Sequence, residues 1–187
     1  MSAGRNPAPS AGGMDSQTVK ATPVGGDRGF DQARKVTGSA KKRHTATDTL
    51  GLLPAVAVSG AGVSDPAGAK VLCRTPGPDR FPRLAVLWAD SKYHNYDLYD
   101  YMGGRVGWRV EVVSRPPDQK GWVKLPRRWV AERTCAWVGQ YRANSEDYER
   151  CNQSSEGMIY TSMVRLMLNR LSPGPPGPPF RYPRNAA

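Results

Sequence analysis

Long apolar runs, paired cysteines and histidines are all scarce in this sequence of 187 residues. The longest apolar stretch, residues 50–63, is interrupted by Pro54 and several glycines, and it is shorter than the ~20 residues that span a bilayer. We therefore predict no membrane span. The three cysteines include no C-x-x-C pair, which argues against a zinc site and favours reduced thiols in a cytoplasmic protein. His44 and His94 have no Ser or Cys partner in a pattern typical of a nucleophilic triad.

Acidic residues are few as well. The sequence has 16 Asp and Glu against 27 Lys and Arg, which gives a formal net charge of +11. This charge favours a polyanionic partner, nucleic acid before a membrane surface, and the alternative is a basic protein without such a partner. From Gly121 to Tyr148, Glu132 is the only acid before Glu146. One carboxylate among so many cations suggests a metal site or a polyanion site.

The composition of the two ends predicts one folded domain between them. Residues 1–13 are small, polar and proline-containing, and we expect them to form a flexible arm. Residues 172–187 are rich in proline and are expected to form a disordered tail. Residues 14–171 remain as a single domain.

Strands and helices alternate along that domain. Hydrophobic runs and turn signals predict strands over residues 14–21, 43–47, 52–59, 84–89 and 108–114, the second and third of which form a hairpin. Helical spacing and capping signals predict helices over residues 65–73, 93–104, 129–148 and 155–171. Residues 25–42, rich in Gly, Lys and Arg, are predicted to be a loop.

The helix predicted over residues 129–148 has two different faces. Its inward side is predicted to consist of Val130, Trp137, Val138 and Tyr141. Glu132 lies on another face, together with Arg128, and is expected to point toward solvent or a cleft.

Three carboxylates are distinguished by their positions. Asp15 lies in the first predicted strand, Asp90 ends the most apolar strand, and Glu132 lies on a helix. Each has an ordinary explanation as well, a turn or cap for Asp90 and an i, i+4 pair with Arg128 for Glu132. Carboxylates gathered from separate elements repel each other, and a divalent cation with hard oxygen ligands relieves the repulsion. We therefore predict that these three acids bind Mg²⁺, as two ions ~3.5–4 Å apart that support phosphodiester cleavage.

Basic residues near these acids are expected to hold the phosphate backbone of DNA. The predicted DNA-binding residues are Lys41, Lys42, Arg43, Lys124, Arg127, Arg128 and Arg133. A nucleic-acid-binding module without chemistry is the alternative, in which Trp129 and Tyr141 would stack on bases. We favour a role for both aromatic residues in the core.

Several ordered motifs resemble those of bacterial insertion-sequence transposases of the DDE type. They include MDSQTVK around Asp15, LWADSKY around Asp90 and RRWVAERT around Glu132, and the resemblance extends over about residues 12–171. It implies an α/β fold similar to ribonuclease H, with a mixed sheet flanked by helices. It also implies metal-dependent DNA strand cleavage and transfer at insertion-sequence ends, with Asp15, Asp90 and Glu132 as the catalytic triad. The R-x-x-x-E pattern matches Arg128 and Glu132, so Arg128 is expected to contact DNA.

The sequence departs from the family pattern at some positions. Cys135 stands where the family usually has Phe after E-R-T, and Gln140 stands where a basic residue is frequent. Family members generally carry a helical, DNA-binding segment before the first motif, so the resemblance is to the catalytic-domain portion. Two interpretations stay open, an active transposase domain and an inactive remnant that only binds DNA. The expected partners are DNA, a second copy of the chain or the product of an upstream reading frame, at the nucleoid.

Overall fold

The computed structural model describes residues 6, 8–24, 26–32, 34–74, 77–114, 116 and 125–174. The strands in this part of the chain are β1 (Ala11–Lys20), β2 (Gly29–Asp31), β3 (Val36–Asp48), β4 (Ala55–Gly60), β5 (Val86–Ala89) and β6 (Arg109–Val112). The α-helices are α1 (Asp65–Leu72), α2 (Gly77–Arg80), α3 (Tyr96–Tyr101), α4 (Trp129–Gly139) and α5 (Asn152–Leu171). Short 3-10 turns cover Ser91–Tyr93 and Arg142–Asn144, and a π-helical turn over Met102–Val106 extends α3.

The strands form one mixed sheet. Its order is β2-β3-β1-β5-β6, and β4 also pairs with β3. β3 pairs antiparallel with both β1 and β4, and its pairing with β4 confirms the predicted hairpin. β5 pairs parallel with both β1 and β6. Parallel strands need long connections, and α1 and α3 lie in those connections. The predicted α/β class with a mixed sheet and flanking helices is confirmed.

Apolar residues bury both faces of the sheet. On one face, Met14, Ala57 and Leu87 pack with Ala69 of α1 and Leu98 of α3. The cluster on the other face joins β4 to α4 and α5 and contains Leu53, Val56, Val58, Val138, Ile159 and Met163. The sheet is therefore covered by helices on both sides, as expected for parallel strands.

The prediction of a loop over residues 25–42 is wrong for much of its length. It contains β2 and the first part of β3, and β3 continues without a break to Asp48. The apolar alternation that would indicate a strand is missing, because β3 buries Lys41, Lys42 and Arg43 in place of apolar side chains. Similarly, residues 11–13, whose composition suggests a flexible arm, belong to β1.

The end and the inward face of α4 also differ from the prediction. The helix ends at Gly139, and its buried residues are Ala131, Thr134, Cys135 and Val138. Trp137 lies on the outer side, where its ring contacts the guanidinium groups of Arg133 and Arg170 at 4.4 and 4.8 Å. Stacked arginines thus shield an aromatic ring that the apolar pattern assigned to the core.

The proline-rich tail lies outside the described residues from residue 175 onward. Among the helices in the described ranges, none has the length and apolar character needed to cross a membrane.

Candidate active site

The Asp15 carboxylate lies in the middle of β1, on the sheet face that α4 covers. Its Oδ1 atom accepts a hydrogen bond of 2.8 Å from the Ser16 amide, and the Thr45 hydroxyl on β3 donates to the Asp15 carbonyl oxygen at 3.3 Å. Burial raises the pKa of Asp15 to about 6, and repulsion from Asp90 adds to the rise. The Ser16 hydrogen bond and the charge of Arg128 oppose it. Asp15 is thus a carboxylate whose charge is costly where it stands.

Asp90 is brought to Asp15 by the parallel register of β1 and β5. Gly13 pairs with Trp88, and Asp15 and Asp90 each follow two residues later on their strands. Asp90 comes directly after β5, where its Oδ1 atom accepts a hydrogen bond of 2.8 Å from the Lys92 amide and caps a 3-10 turn. The cap predicted as an ordinary role for Asp90 is therefore present, and the carboxylate still lies close enough to Asp15 to raise its pKa.

Glu132 reaches the same edge of the sheet from α4. This helix packs closely on β1 at Gly13, where a Cβ atom would lie 3.3 Å from the Thr47 hydroxyl oxygen and 3.4 Å from the Ala131 Cβ atom. Cys135 lies one turn further along the buried face, with its Sγ atom 3.8 Å from the Thr45 hydroxyl. Its thiol has a pKa raised to about 12, mainly by burial. The Glu132 side chain is 47% exposed, so it faces solvent as predicted.

Arg128 connects the carboxylates of Asp90 and Glu132. Its Nη2 atom lies 3.7 Å from Asp90 Oδ2 and 3.6 Å from Glu132 Oε1, and its Nη1 atom donates to the Val113 carbonyl at 3.4 Å. The preceding Arg127 has a φ of 75°, a left-handed conformation that is strained for a residue with a side chain. This turn of the backbone comes directly before α4 and brings Arg128 to face the end of β5.

Asp15 and Asp90 have the chemistry of ligands for a hard divalent cation. Both are carboxylates from neighbouring strands, and the raised pKa of Asp15 shows that positive charge would be favourable beside them. Within the described ranges, no group of three or more His, Cys, Asp or Glu side chains is close enough to hold a metal ion. The Arg128 guanidinium lies within 4 Å of Asp90 and of Glu132, so the structure connects Glu132 to Asp90 through this cation and does not bring Glu132 into contact with Asp15 among the described residues.

The predicted phosphate contacts in β3 are wrong, because these side chains are buried. Lys41, Lys42 and Arg43 are 1%, 7% and 2% exposed. Lys41 pairs with Asp147 at 3.0 Å, whereas Lys42 lies 3.3 Å from Asp65 and 3.7 Å from Asp31. Arg43 donates to backbone carbonyl oxygens at Asn144 and Glu146. Partners that are remote in the sequence neutralise the first two cations, and backbone acceptors hold the third.

The other predicted DNA-binding residues have different surroundings. Lys124 lies outside the described residues. Arg127 is 55% exposed and pairs with Glu111 at 3.2 Å. Arg133 is held between the rings of Trp129 and Trp137, at 4.2 and 4.4 Å from their centroids. Of these cations, the structure brings Arg128 to the carboxylates.

A model of the transposase DDE domain family matches residues 7–167, a range that contains the three carboxylates. The chain belongs to the transposase DDE domain family. A search of curated proteins found no match. The resemblance inferred from the motifs is therefore confirmed, and so is the ribonuclease H-like fold that it implies. DDE transposases act on DNA and generally use divalent metal ions, which agrees with the oxygen ligands at this edge of the sheet.

Two residues of this DDE domain near Asp15 had no signal in the sequence. Arg34 lies in the turn between β2 and β3 and donates to the Ser16 carbonyl at 2.6 Å, and its charge lowers the pKa of Asp15. Tyr93 is buried beside Ser16, and burial raises its pKa well above the ordinary value. Neither position follows from spacing, because the contacts depend on how β1 pairs with its neighbours.

Proposed function

We propose that this DDE domain cleaves DNA strands and transfers them at insertion-sequence ends, with Asp15, Asp90 and Glu132 as the catalytic carboxylates. The observation that supports the proposal is the parallel pairing of β1 with β5 up to Gly13 and Trp88, beyond which Asp15 lies close enough to Asp90 for repulsion to raise its pKa. Glu132, on α4, also supports the proposal, because the Arg128 guanidinium lies beside both Glu132 and Asp90.

The three carboxylates would hold two Mg²⁺ ions. Bound there, the ions would activate the attacking oxygen and stabilise the leaving oxygen of the phosphodiester. Asp15 is prepared for this role because burial and Asp90 make its lone negative charge unfavourable. Asp90 is held in place by its hydrogen bond to the Lys92 amide, and α4 positions Glu132 through the buried side chains of Ala131 and Cys135.

Arg128 would serve the same reaction by holding DNA. Its charge offsets part of the negative charge of Asp90 and Glu132, and a guanidinium also binds phosphate with two parallel hydrogen bonds. The phosphate next to the cleaved bond would then be oriented by a residue on the same helix as Glu132.

An inactive domain that only binds DNA is the second candidate function. It is favoured by the position of the Arg128 guanidinium, which lies within 4 Å of both Asp90 and Glu132, where a cation would be held.

A nicking assay decides between the two candidates. The substrate is duplex DNA carrying the element's ends, with Mg²⁺, and the variants are Asp90→Ala and Asp97→Ala. Asp97 is the matched control, since its side chain is 82% exposed and pairs with Lys70 away from the site. We expect nicks from the wild type and from Asp97→Ala and none from Asp90→Ala. If wild type and Asp90→Ala give the same products, the catalytic proposal fails.

A further inference from the structure

A groove between the end of α4 and the second half of α5 has the chemistry of a site for a polyanion. Its lining contains two aromatic rings, two amides and two arginines, from Trp137, Gln140, Tyr141, Arg142, Arg165 and Asn169, together with Leu166. None of the described residues that line it is a carboxylate. The sequence supports this bias, because no acid follows Glu156 in the chain.

Among the described residues, no acid pairs with Arg142 or Arg165, which line this groove, or with the neighbouring Arg170. Arg142, Arg165 and Arg170 are exposed, and none of them lies within 4 Å of a carboxylate in the described part of the chain. Arg165 lies over the Tyr141 ring at 5.7 Å, and Arg170 over the Trp137 ring at 4.8 Å. The rings orient the guanidinium groups without neutralising them. This differs from β3, where Lys41 and Lys42 have buried carboxylates as partners.

The groove also lies within reach of DNA bound at the carboxylates. Gln140 follows Glu132 by eight residues at the end of α4, which at ~1.5 Å per residue is about 12 Å along the helix axis. With ~3.4 Å between successive nucleotides of a strand, this is about three or four nucleotides from the reacting phosphate. Gln140 is also turned by only about 80° from Glu132 around the helix.

We propose that this groove binds the phosphate backbone of DNA three or four nucleotides from the cleavage position, with Arg142 and Arg165 as its phosphate contacts. This inference rests on the proposed function, because DNA is the substrate there. Exposed Gln140 and Asn169 would add hydrogen bonds to phosphate or sugar oxygens, which position DNA without reading its sequence. The groove would thus hold flanking DNA of any sequence.

Salt-dependent binding tests the groove. The full chain is titrated onto a fluorescein-labelled 30-base-pair duplex in EDTA, and fluorescence anisotropy is read over a range of salt concentrations. The test variant is Arg142→Ala/Arg165→Ala, and the control is Arg74→Ala/Arg105→Ala. The control removes the same charge from exposed arginines that follow α1 and α3, on the opposite side of the sheet. Thermal unfolding checks that both variants fold.

Two lost phosphate contacts should reduce the slope of log K against log salt by about 2, and the control should keep the wild-type slope. Equal slopes for the two double variants would overturn the proposal. Polyglutamate is titrated in parallel, and if the groove variant loses polyglutamate binding but not DNA binding, the groove is a site for acidic peptides and the proposal fails.

EDTA separates this test from the nicking assay. If the groove variant has a reduced slope but the wild type does not nick DNA, the groove proposal stands and the catalytic proposal fails. If the wild type nicks DNA but the slope of the groove variant is unchanged, the catalytic proposal stands and the groove proposal fails.

Discussion

Two charged clusters lie on the same sheet, and they differ in how charge is balanced. In the β3 cluster, Lys41 pairs with Asp147 at 3.0 Å, both side chains are 1% exposed, and Ser155 donates to Asp147 at 2.9 Å. In the second cluster, Arg128 lies within 4 Å of Asp90 and Glu132, and Asp15 lies close enough to Asp90 for repulsion to raise its pKa. The first cluster pairs its charges in the interior, whereas in the second the carboxylates of Asp15, Asp90 and Glu132 outnumber the Arg128 cation beside them.

The difference teaches which cluster is structural. The buried, hydrogen-bonded pair of Lys41 and Asp147 joins β3 to the segment before α5, and removing one partner would leave the other charge buried alone. Burial raises the pKa of Asp15, so its negative charge lowers the stability of the fold, which fits the catalytic role proposed for it. The basic run Lys41-Lys42-Arg43 and the basic residues near α4 look alike in the sequence, but they belong to these two different kinds of cluster.

Removing Lys41 should have the largest effect. Lys41→Met leaves the Asp147 carboxylate buried without its cation, and such losses cost about 3–5 kcal/mol. Urea unfolding at pH 7 measures the change. The double variant Lys41→Met/Asp147→Asn, which removes both charges, should lose less than Lys41→Met alone. If the double variant is less stable than Lys41→Met, an unpaired Asp147 charge is not the cause of the loss, and the buried pair is not what holds β3 to the segment before α5.

Neutralising Asp15 should raise the free energy of unfolding, whereas Lys41→Met should lower it. The pKa of Asp15 is raised from 3.8 to about 6 in the folded state. The stability that protonated Asp15 contributes is therefore complete below pH 3.8 and is lost as pH rises through 6. At ~1.4 kcal/mol per pKa unit, ionisation costs about 3 kcal/mol at pH 8. Asp15→Asn should therefore be more stable than wild type by up to about 3 kcal/mol at pH 8 and equal to it near pH 3.5.

Urea unfolding at the two pH values measures this difference. Asp97→Asn, at an exposed position, is the control and should show no pH-dependent gain. A gain for Asp15→Asn that is the same at both pH values would contradict the assigned pKa.

Removing Arg128 should strengthen metal binding. Its guanidinium lies beside Asp90 and Glu132, so a divalent ion at these carboxylates competes with it. Arg128→Ala should bind Mg²⁺ more tightly by about 1 kcal/mol, or roughly fivefold, in titration calorimetry. Arg127→Ala removes the same charge one residue away and serves as the control. Weaker Mg²⁺ binding by Arg128→Ala would show that the arginine supports the ion site.

The smallest effect on stability is expected for Arg127. Its pair with Glu111 joins side chains that are 55% and 40% exposed, and such pairs contribute less than about 1 kcal/mol. Arg127→Ala should thus unfold within about 1 kcal/mol of wild type in urea. A loss comparable to that of Lys41→Met would remove the contrast between the two clusters.

The three carboxylates and the fold could be predicted because motifs and strand patterns are local. Asp15, Asp90 and Glu132 each lie in a short recognisable string, and β5 is a plain apolar run. Their catalytic roles stay predictions. The β3 cluster could not be predicted, since Lys41 meets an acid that is 106 residues away in the sequence. Trp137 was misassigned for a similar reason, because Arg170 covers it from another helix.

The alternation of side chains along β1 ties folding to chemistry. Met14 and Ser16 point to one face of the sheet, where Met14 joins the core and Ser16 bonds to Asp65, while Asp15 points to the other. A shift of this strand by one residue against β3 would send Asp15 into the apolar cluster around Ala69 and Met14 toward α4. A misregistered chain would thus place a carboxylate in the apolar cluster and remove a methionine from it, so the packing that fixes the core also fixes the position of Asp15.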